Sequence, residues 1–173
     1  MNLFITAGTY DFLQRLQDKY SAENMLLLSN GDGAMLLHET EGKTVFSAPR
    51  KYEVIDSTGP LEGSVFAVFN NIPVTDEGKP LFEYRFSNRP RMIEKEDGFI
   101  AIRVLRPLSS NTYIILTLWE SESFFEKWQT SQAYKHAHNK SGTEDGIDAK
   151  PSIFSGPSYV SKYHSFQREE GLA

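Results

Sequence analysis

The sequence predicts an α+β protein in two parts, with a β-α-β-β subdomain over residues 1–60 and a β-α-β-β-α-β domain over residues 61–173. Three features support this prediction. Apolar and polar residues alternate in the strands, apolar residues recur three or four positions apart in the helices, and segments rich in Gly, Pro and Asn separate these elements. The order in the second part is the ferredoxin-like one. We therefore expect a ferredoxin-like domain with an N-terminal α/β extension.

The N-terminal part opens with a strand over residues 3–6, after which Thr9 provides an N-cap for a helix. The apolar residues at helical spacing in this helix are Phe12, Leu13, Leu16 and Tyr20. Residues 30–33 separate two apolar runs, and their Asn-Gly-Asp-Gly sequence tolerates the positive φ angles of a tight hairpin. A short strand over residues 44–46 comes next. A strand that begins at Lys51 then runs into a Gly- and Pro-containing connector, where we place the boundary.

The first strand of the second part, SVFAVFNNIPV, alternates over residues 64–74. Alternate residues of a strand share one face. On this strand they are Phe66, Val68, Asn70, Ile72 and Val74. Asn70 is the polar member of that face, and a buried amide costs free energy unless it finds a hydrogen-bond partner. A backbone contact satisfies it as well as a bound ligand does, so the residues alone leave both interpretations open.

A helix is predicted to begin at Lys79-Pro80, because proline is tolerated in the first helical turn, and to end before Pro90. Residues 99–107 then alternate, and residues 113–119 are almost continuously apolar, as in a strand at the centre of a sheet. These two strands are separated by a short turn. We expect them to form a hairpin.

The last part of the chain completes the pattern. A Ser-x-x-Glu capping box at Ser123 predicts a helix over residues 122–129, and a second short helix is expected to continue to His138. Residues 139–151 are polar and show no periodicity, which indicates a loop. Alternation returns over residues 158–166 and predicts the strand that closes the sheet.

The composition argues against several functional classes. The chain has no cysteine, which excludes disulfides, thiolate-ligated iron and cysteine nucleophiles, so any metal must be held by His or carboxylate. The net charge of −5 and the absence of a basic run argue against a nucleic-acid partner. No segment approaches the ~18 consecutive apolar residues of a membrane span, and the N-terminal residues do not resemble a signal peptide. We therefore expect a cytoplasmic protein with no membrane partner.

Residues 117–138, TLWESESFFEKWQTSQAYKHAH, resemble the haem-degrading monooxygenases of the IsdG type, which have an antibiotic biosynthesis monooxygenase (ABM) domain. In that family a strand ends in Val-Trp, the next helix contains a second Trp, and a His lies ten residues beyond it. Trp119, Trp128 and His138 match these positions. The DGF sequence at residues 97–99 also resembles the family's turn before its second strand. The resemblance implies a fold of the dimeric α+β barrel type.

The resemblance implies three site residues: His138 as the axial ligand of haem iron, Trp128 pressed against the porphyrin, and Asn70 as a hydrogen-bonding group on the distal side. A neutral imidazole suits haem iron, although a capping His and a core Trp are the simpler interpretations without the resemblance. His136 is the next candidate ligand. An ungapped count favours Asn71 over Asn70, but only Asn70 lies on the apolar face, and a one-residue change in a loop costs less than a wrong strand face.

Over its whole length the chain resembles the longer HmoB-type haem-degrading monooxygenases. GTY-x-FL at residues 8–13 and YEVI at residues 52–55 also resemble the staphylococcal TRAP proteins. The first resemblance implies a haem oxygenase for which haem is both substrate and cofactor, with an external electron donor or reductase as partner and iron as a product. The alternatives are a non-catalytic haem sensor, carrier or TRAP-like regulatory protein, and a cofactor-free monooxygenase. TRAP proteins lack a counterpart of Trp128, so its presence with His138 and Asn70 favours the enzyme.

Relatives with a single such domain pair as homodimers. Here only the second half carries the Asn, Trp and His residues, so we expect the first half to take the partner's place as an intramolecular pseudo-dimer. The protein is then a monomer with one haem site. Four cations are available for the haem propionates, although solvated surface charge is the simpler interpretation of each. They are Arg103, Arg106, Lys135 and Lys140.

Overall fold

The computed structural model describes residues 1–88, 91–131 and 153–166, and its strands close into one antiparallel barrel. The strands are β1 (Asn2–Gly8), β2 (Asn24–Asn30), β3 (Gly33–Thr40), β4 (Arg50–Thr58), β5 (Val65–Pro73), β6 (Phe99–Pro107), β7 (Thr112–Trp119) and β8 (Tyr159–Ser165). The helices are α1 (Tyr10–Lys19), α2 (Lys79–Ser87) and α3 (Glu122–Gln129), with a 3-10 helix over Met92–Lys95. Within these ranges no helix has both the length and the apolar character needed to cross a membrane.

Each half of the barrel has the strand order of a ferredoxin-like sheet. The order is β4-β1-β3-β2 in the first half and β8-β5-β7-β6 in the second. The halves meet where β4 pairs with β6 and where β2 pairs with β8. An isolated sheet would expose unpaired backbone groups at both edges, and closure removes these edges. The predicted α+β fold, with both halves paired in one chain, is confirmed, whereas the boundary at residue 60 stays a prediction.

The interior of the barrel is packed by aliphatic side chains from both halves. Its buried residues include Leu3, Leu28, Leu37, Leu105, Leu116 and Leu118. Full burial of one such side chain contributes about 1.5–3 kcal/mol. Because these residues contact one another across the two sheets, each half buries the inner face of the other.

A buried ion pair also joins the halves inside the barrel. The guanidinium of Arg103 on β6 donates from Nε to Glu39 Oε2 at 2.6 Å and from Nη2 to Glu39 Oε1 at 3.2 Å. Its Nη1 donates to the carbonyl oxygen of Thr58 at 3.2 Å. The two charged side chains are only 7% and 8% exposed. Arg103 is therefore held inside the barrel by Glu39 and is not a solvated cation that could bind haem propionates.

Two local predictions are wrong. Residues 44–46 do not form a strand, because the Thr44 hydroxyl hydrogen-bonds the buried ring of His38 at 3.0 Å and accepts from the Phe46 amide at 3.2 Å, which fixes a loop. The capping box at Ser123 is also absent. The N-cap is Ser121, whose hydroxyl pairs with that of Ser123 at 2.8 Å instead of capping an amide. The second helix to His138 and the loop over residues 139–151 lie outside the described residues.

Candidate functional site

The two asparagines of β5 point to opposite sides of the sheet. On the outer face, Phe66 and Val68 join the aromatic cluster under α3, whereas Ile72 and Val74 join an apolar cluster under α2. Asn70 lies on this face between the two clusters, and in the register it pairs with Ile115 and Val160. The alternation read from the sequence therefore placed Asn70 correctly. We call this helix-covered side of β5, β7 and β8 the site face.

Asn71 lies on the inner face, where its amide nitrogen has hydrogen-bond partners. Its Nδ2 donates to the carbonyl oxygens of Phe69 and Tyr159, both at 3.2 Å, and to Ser161 Oγ at 3.3 Å. The half-buried amide of Asn70 makes no hydrogen bond to the described residues. An amide in an apolar setting without a partner is unfavourable, so the amide of Asn70 is available for a further hydrogen bond.

The aromatic cluster under α3 lies on the same face of the sheet as Asn70. The ring of Trp128 on α3 packs against Trp119, with centroids 5.7 Å apart and planes at 33°, and against Phe125, with centroids 6.1 Å apart. Trp119 is fully buried, and its Nε1 donates to Thr117 Oγ1 at 3.0 Å. Trp128 is only partly buried and contacts the same cluster as Val68. The indole of Trp128 thus packs on Trp119 and Phe125 and keeps part of its surface exposed.

A cluster of charged side chains lies at α2, and its members are paired with one another. The guanidinium of Arg106 donates to both carboxylate oxygens of Glu83 and to Glu53 Oε2 at 2.6 Å. The phenol of Tyr113 also donates to Glu83. The hydrogen bond from Arg106 holds the pKa of Glu83 below its usual range, and burial raises the pKa of Tyr113. Arg106 therefore has carboxylate partners, and Lys135 and Lys140 lie outside the described residues.

The structure adds two residues that the sequence pattern did not single out. Lys162 and His164 occupy the site face of β8, opposite Val68 and Phe66. The Lys162 ammonium lies 5.7 Å from the ring centroid of Phe125 and 3.8 Å from Glu122 Oε2. The period-2 alternation of β8 contained this signal, because it places these two residues on one face.

The candidate iron ligands cannot be placed. His138 and the alternative His136 lie outside the described residues, so the structure gives no distance from either ring to Asn70 or Trp128. Among the residues that are described, no group of three His, Asp or Glu side chains is arranged to hold a metal ion. Asn70 and Trp128 lie on the same side of the sheet, and Val68, two positions before Asn70 on β5, belongs to the cluster that Trp128 packs against.

Residues 65–140, which include most of the strands and the helix that form this face, match the antibiotic biosynthesis monooxygenase (ABM) family. The match includes Asn70, Trp128 and His138, and the predicted resemblance is confirmed.

Individual relatives extend the similarity over most of the chain. The chain is 29% identical over 148 residues to a heme-degrading monooxygenase of Listeria monocytogenes, and the match covers 84% of this chain and 89% of that protein. It is 26% identical to the signal transduction protein TRAP of Staphylococcus epidermidis, covering 81% of this chain and 84% of the relative. The crystal structure of a heme-degrading enzyme from Listeria monocytogenes superimposes with a TM-score of 0.70 at 27% identity, covering 95% of this chain and 99% of the other.

Proposed function

We propose that the chain is a cytoplasmic haem-degrading monooxygenase that binds one haem on the site face, opens the porphyrin ring with O2 and an external electron donor, and releases iron. The observation that carries the proposal is the half-buried amide of Asn70, which lies without a partner among the described residues, between two apolar clusters, one of which includes Trp128. A large, flat, apolar ligand with polar atoms at its centre fits such a surface. The heme-degrading relatives from Listeria monocytogenes support the same choice of ligand.

Haem supplies the iron that activates O2 and the macrocycle that is oxidised. The residues of the chain bind and orient it. The Nδ2 group of Asn70 would donate a hydrogen bond toward the bound haem, and the indole of Trp128 would form a stiff wall against it because Trp119 packs behind the indole. His138 would hold the iron, since a neutral imidazole suits haem iron and the chain has no thiolate.

A second candidate is a haem sensor or carrier that keeps the pocket without turnover. Its support is the similarity to TRAP, a signal transduction protein, which extends over 81% of this chain. The presence of Trp128 on the same face as Asn70 favours the enzyme, since a haem carrier does not require an indole that distorts the porphyrin. The two functions differ in the fate of the bound haem.

Titration of the purified protein with haemin, followed by ascorbate in air, tests the proposal. We expect the Soret band to saturate at one haem per chain and then to decay. His138→Ala should abolish both events. Asn70→Ala should leave binding in place and slow the decay by about tenfold or more, because a donor aimed at developing charge is removed.

A matched control identifies the cause of each effect. Asn111→Ala removes an exposed asparagine from the turn before β7, outside the site face, and should behave like the wild type. Binding without decay would favour the sensor or carrier, and no saturable binding would bring forward the cofactor-free monooxygenase. A normal His138→Ala protein together with a defective His136→Ala protein would move the ligand to His136.

A further inference from the structure

A cavity that is open to solvent lies at one mouth of the barrel, on the side of β5 opposite the site face. It has a volume of about 90 Å³, lies where β4 and β8 begin, and is lined in part by the exposed residues Arg50 and Tyr159. Met35 and Arg50 line it from the first half, and Asn71, Tyr159 and Ser161 line it from the second. The mouths of β-barrels are frequent places for small-molecule sites. Because Asn70 and Asn71 point to opposite faces, this cavity is separate from the proposed haem site.

Arg50 gives the cavity a positive charge that no described carboxylate neutralises. Three other arginines pair with acidic side chains: Arg91 with Asp56 and Glu94, Arg103 with Glu39, and Arg106 with Glu53 and Glu83. Within the described residues Arg50 has no carboxylate within 4.0 Å, although the whole chain carries a net charge of −5. Its polar neighbour is the phenol of Tyr52, whose pKa is raised by burial, so that this group remains neutral.

The remaining polar groups of the cavity are neutral. Ser161 Oγ accepts a hydrogen bond from Asn71 Nδ2, which leaves the Ser161 proton available to donate. The Tyr159 side chain also lines the space and carries a phenol donor. One guanidinium with neutral donors matches a ligand with one negative charge, and the planar fork of Arg fits the two oxygens of a carboxylate.

The cavity is small, about 90 Å³, and its polar groups can hold the carboxylate of a ligand whose remainder faces solvent. We propose that this barrel mouth is a binding site for a small monocarboxylate, held by the Arg50 guanidinium and by the hydroxyl donors of β8. This site does not depend on the proposed haem chemistry, since it uses none of the residues assigned there.

Nuclear magnetic resonance of the full chain without haem tests the site with acetate as the probe. With chloride balancing the ionic strength, we expect saturable shifts of the Arg50 Nε–H and Asn71 side-chain amide signals. Arg50→Gln should weaken acetate binding at least tenfold, and Arg50→Lys, which keeps the charge and loses the fork, should fall between the two. Arg15→Gln on the exposed face of α1 is the matched control and should bind like the wild type.

Unchanged backbone amide shifts in the barrel core would show that the Arg50 variants are folded. The proposal is overturned if acetate causes no saturable shift, or if Arg50→Gln binds it as the wild type does. Tighter binding of inorganic phosphate than of acetate would overturn the assignment to a monocarboxylate. Normal haem turnover in Arg50→Gln is expected, so failure of this site and failure of the proposed function give different results.

Discussion

At the scale of single residues, hydrogen bonding distinguishes two asparagines, Asn70 and Asn71, that are adjacent in the sequence. The amide of Asn71 has three acceptors inside the barrel, whereas Asn70 has none among the described residues. The sequence predicted the face of Asn70 because strand alternation depends only on position along the chain. It could not predict the hydrogen bonds that Asn71 Nδ2 donates to β8, because Tyr159 and Ser161 are 88 and 90 positions away.

The hydrogen bond from Trp119 to Thr117 leads to a prediction about Trp128. Thr117→Val keeps the shape of the side chain but leaves the buried Trp119 Nε1 without an acceptor, which costs about 1–3 kcal/mol of unfolding free energy. Because Trp128 packs on Trp119, its angle should change, and with it the ratio of porphyrin-cleavage isomers, while haem affinity stays within a few-fold. Near-ultraviolet circular dichroism and separation of the products measure the two effects.

Thr117→Ser restores the hydroxyl and is the control, so its spectrum and products should return toward those of the wild type. A Thr117→Val protein with an altered tryptophan spectrum and an unchanged product ratio would show that Trp119 does not position Trp128 for the reaction. In that case Thr117 would be a purely structural residue of β7.

At the scale of elements, α2 is tied to the sheet by the carboxylate of Glu83. Arg106 from β6 and Tyr113 from β7 both donate to it, and the Arg106 guanidinium holds its pKa below the usual 4.5. A carboxylate whose pKa is lowered by folding stabilises the protein fully above its ordinary pKa, and this contribution is lost as the pH falls through the lower value of the folded state. The attachment of α2 should therefore weaken in acid.

Glu83→Gln tests this. At pH 7 the variant should be less stable than the wild type by about 1 kcal/mol, after allowance for the partial exposure of the group. The difference should shrink as the pH falls below 4.5, because Glu83 of the unfolded chain is protonated first and Glu83 of the folded protein follows only at its lower pKa. Urea unfolding at several pH values measures it, with the exposed Glu77→Gln as the control. A constant difference down to pH 3 would contradict the assignment.

The elements themselves were largely predictable, because their signals are local. The strands around Asn70 and the hairpin of β6 and β7 follow from periodicity, and α2 begins at Lys79 as the Lys-Pro sequence indicates. The two errors arose where side chains compete with backbone pairing. Thr44 bonds to His38, and Ser121 takes the capping position expected for Ser123. Such contacts depend on which neighbours the fold supplies.

At the scale of the whole molecule, the closed barrel predicts a monomer. A second chain has no open sheet edge to pair with, since β4 pairs with β6 and β2 with β8 inside one chain. Sedimentation velocity should give one species near 19.7 kDa at micromolar concentration, with and without haemin. A dimer that persists on dilution would mean that another surface associates, and the proposal of one independent haem site per chain would need revision.

The first half shows what covalent linkage permits. A symmetric homodimer carries every substitution twice, once on each outer face, so its two faces cannot diverge. In this chain the outer face of β1 and β3 is filled by Leu13, Phe46 and the buried ring of His38, which Glu23 also contacts, while the corresponding face around Asn70 keeps its amide unpaired within the described structure. Covalent linkage allows the two faces to differ. Mutations on the first face can therefore change folding without altering the residues around Asn70.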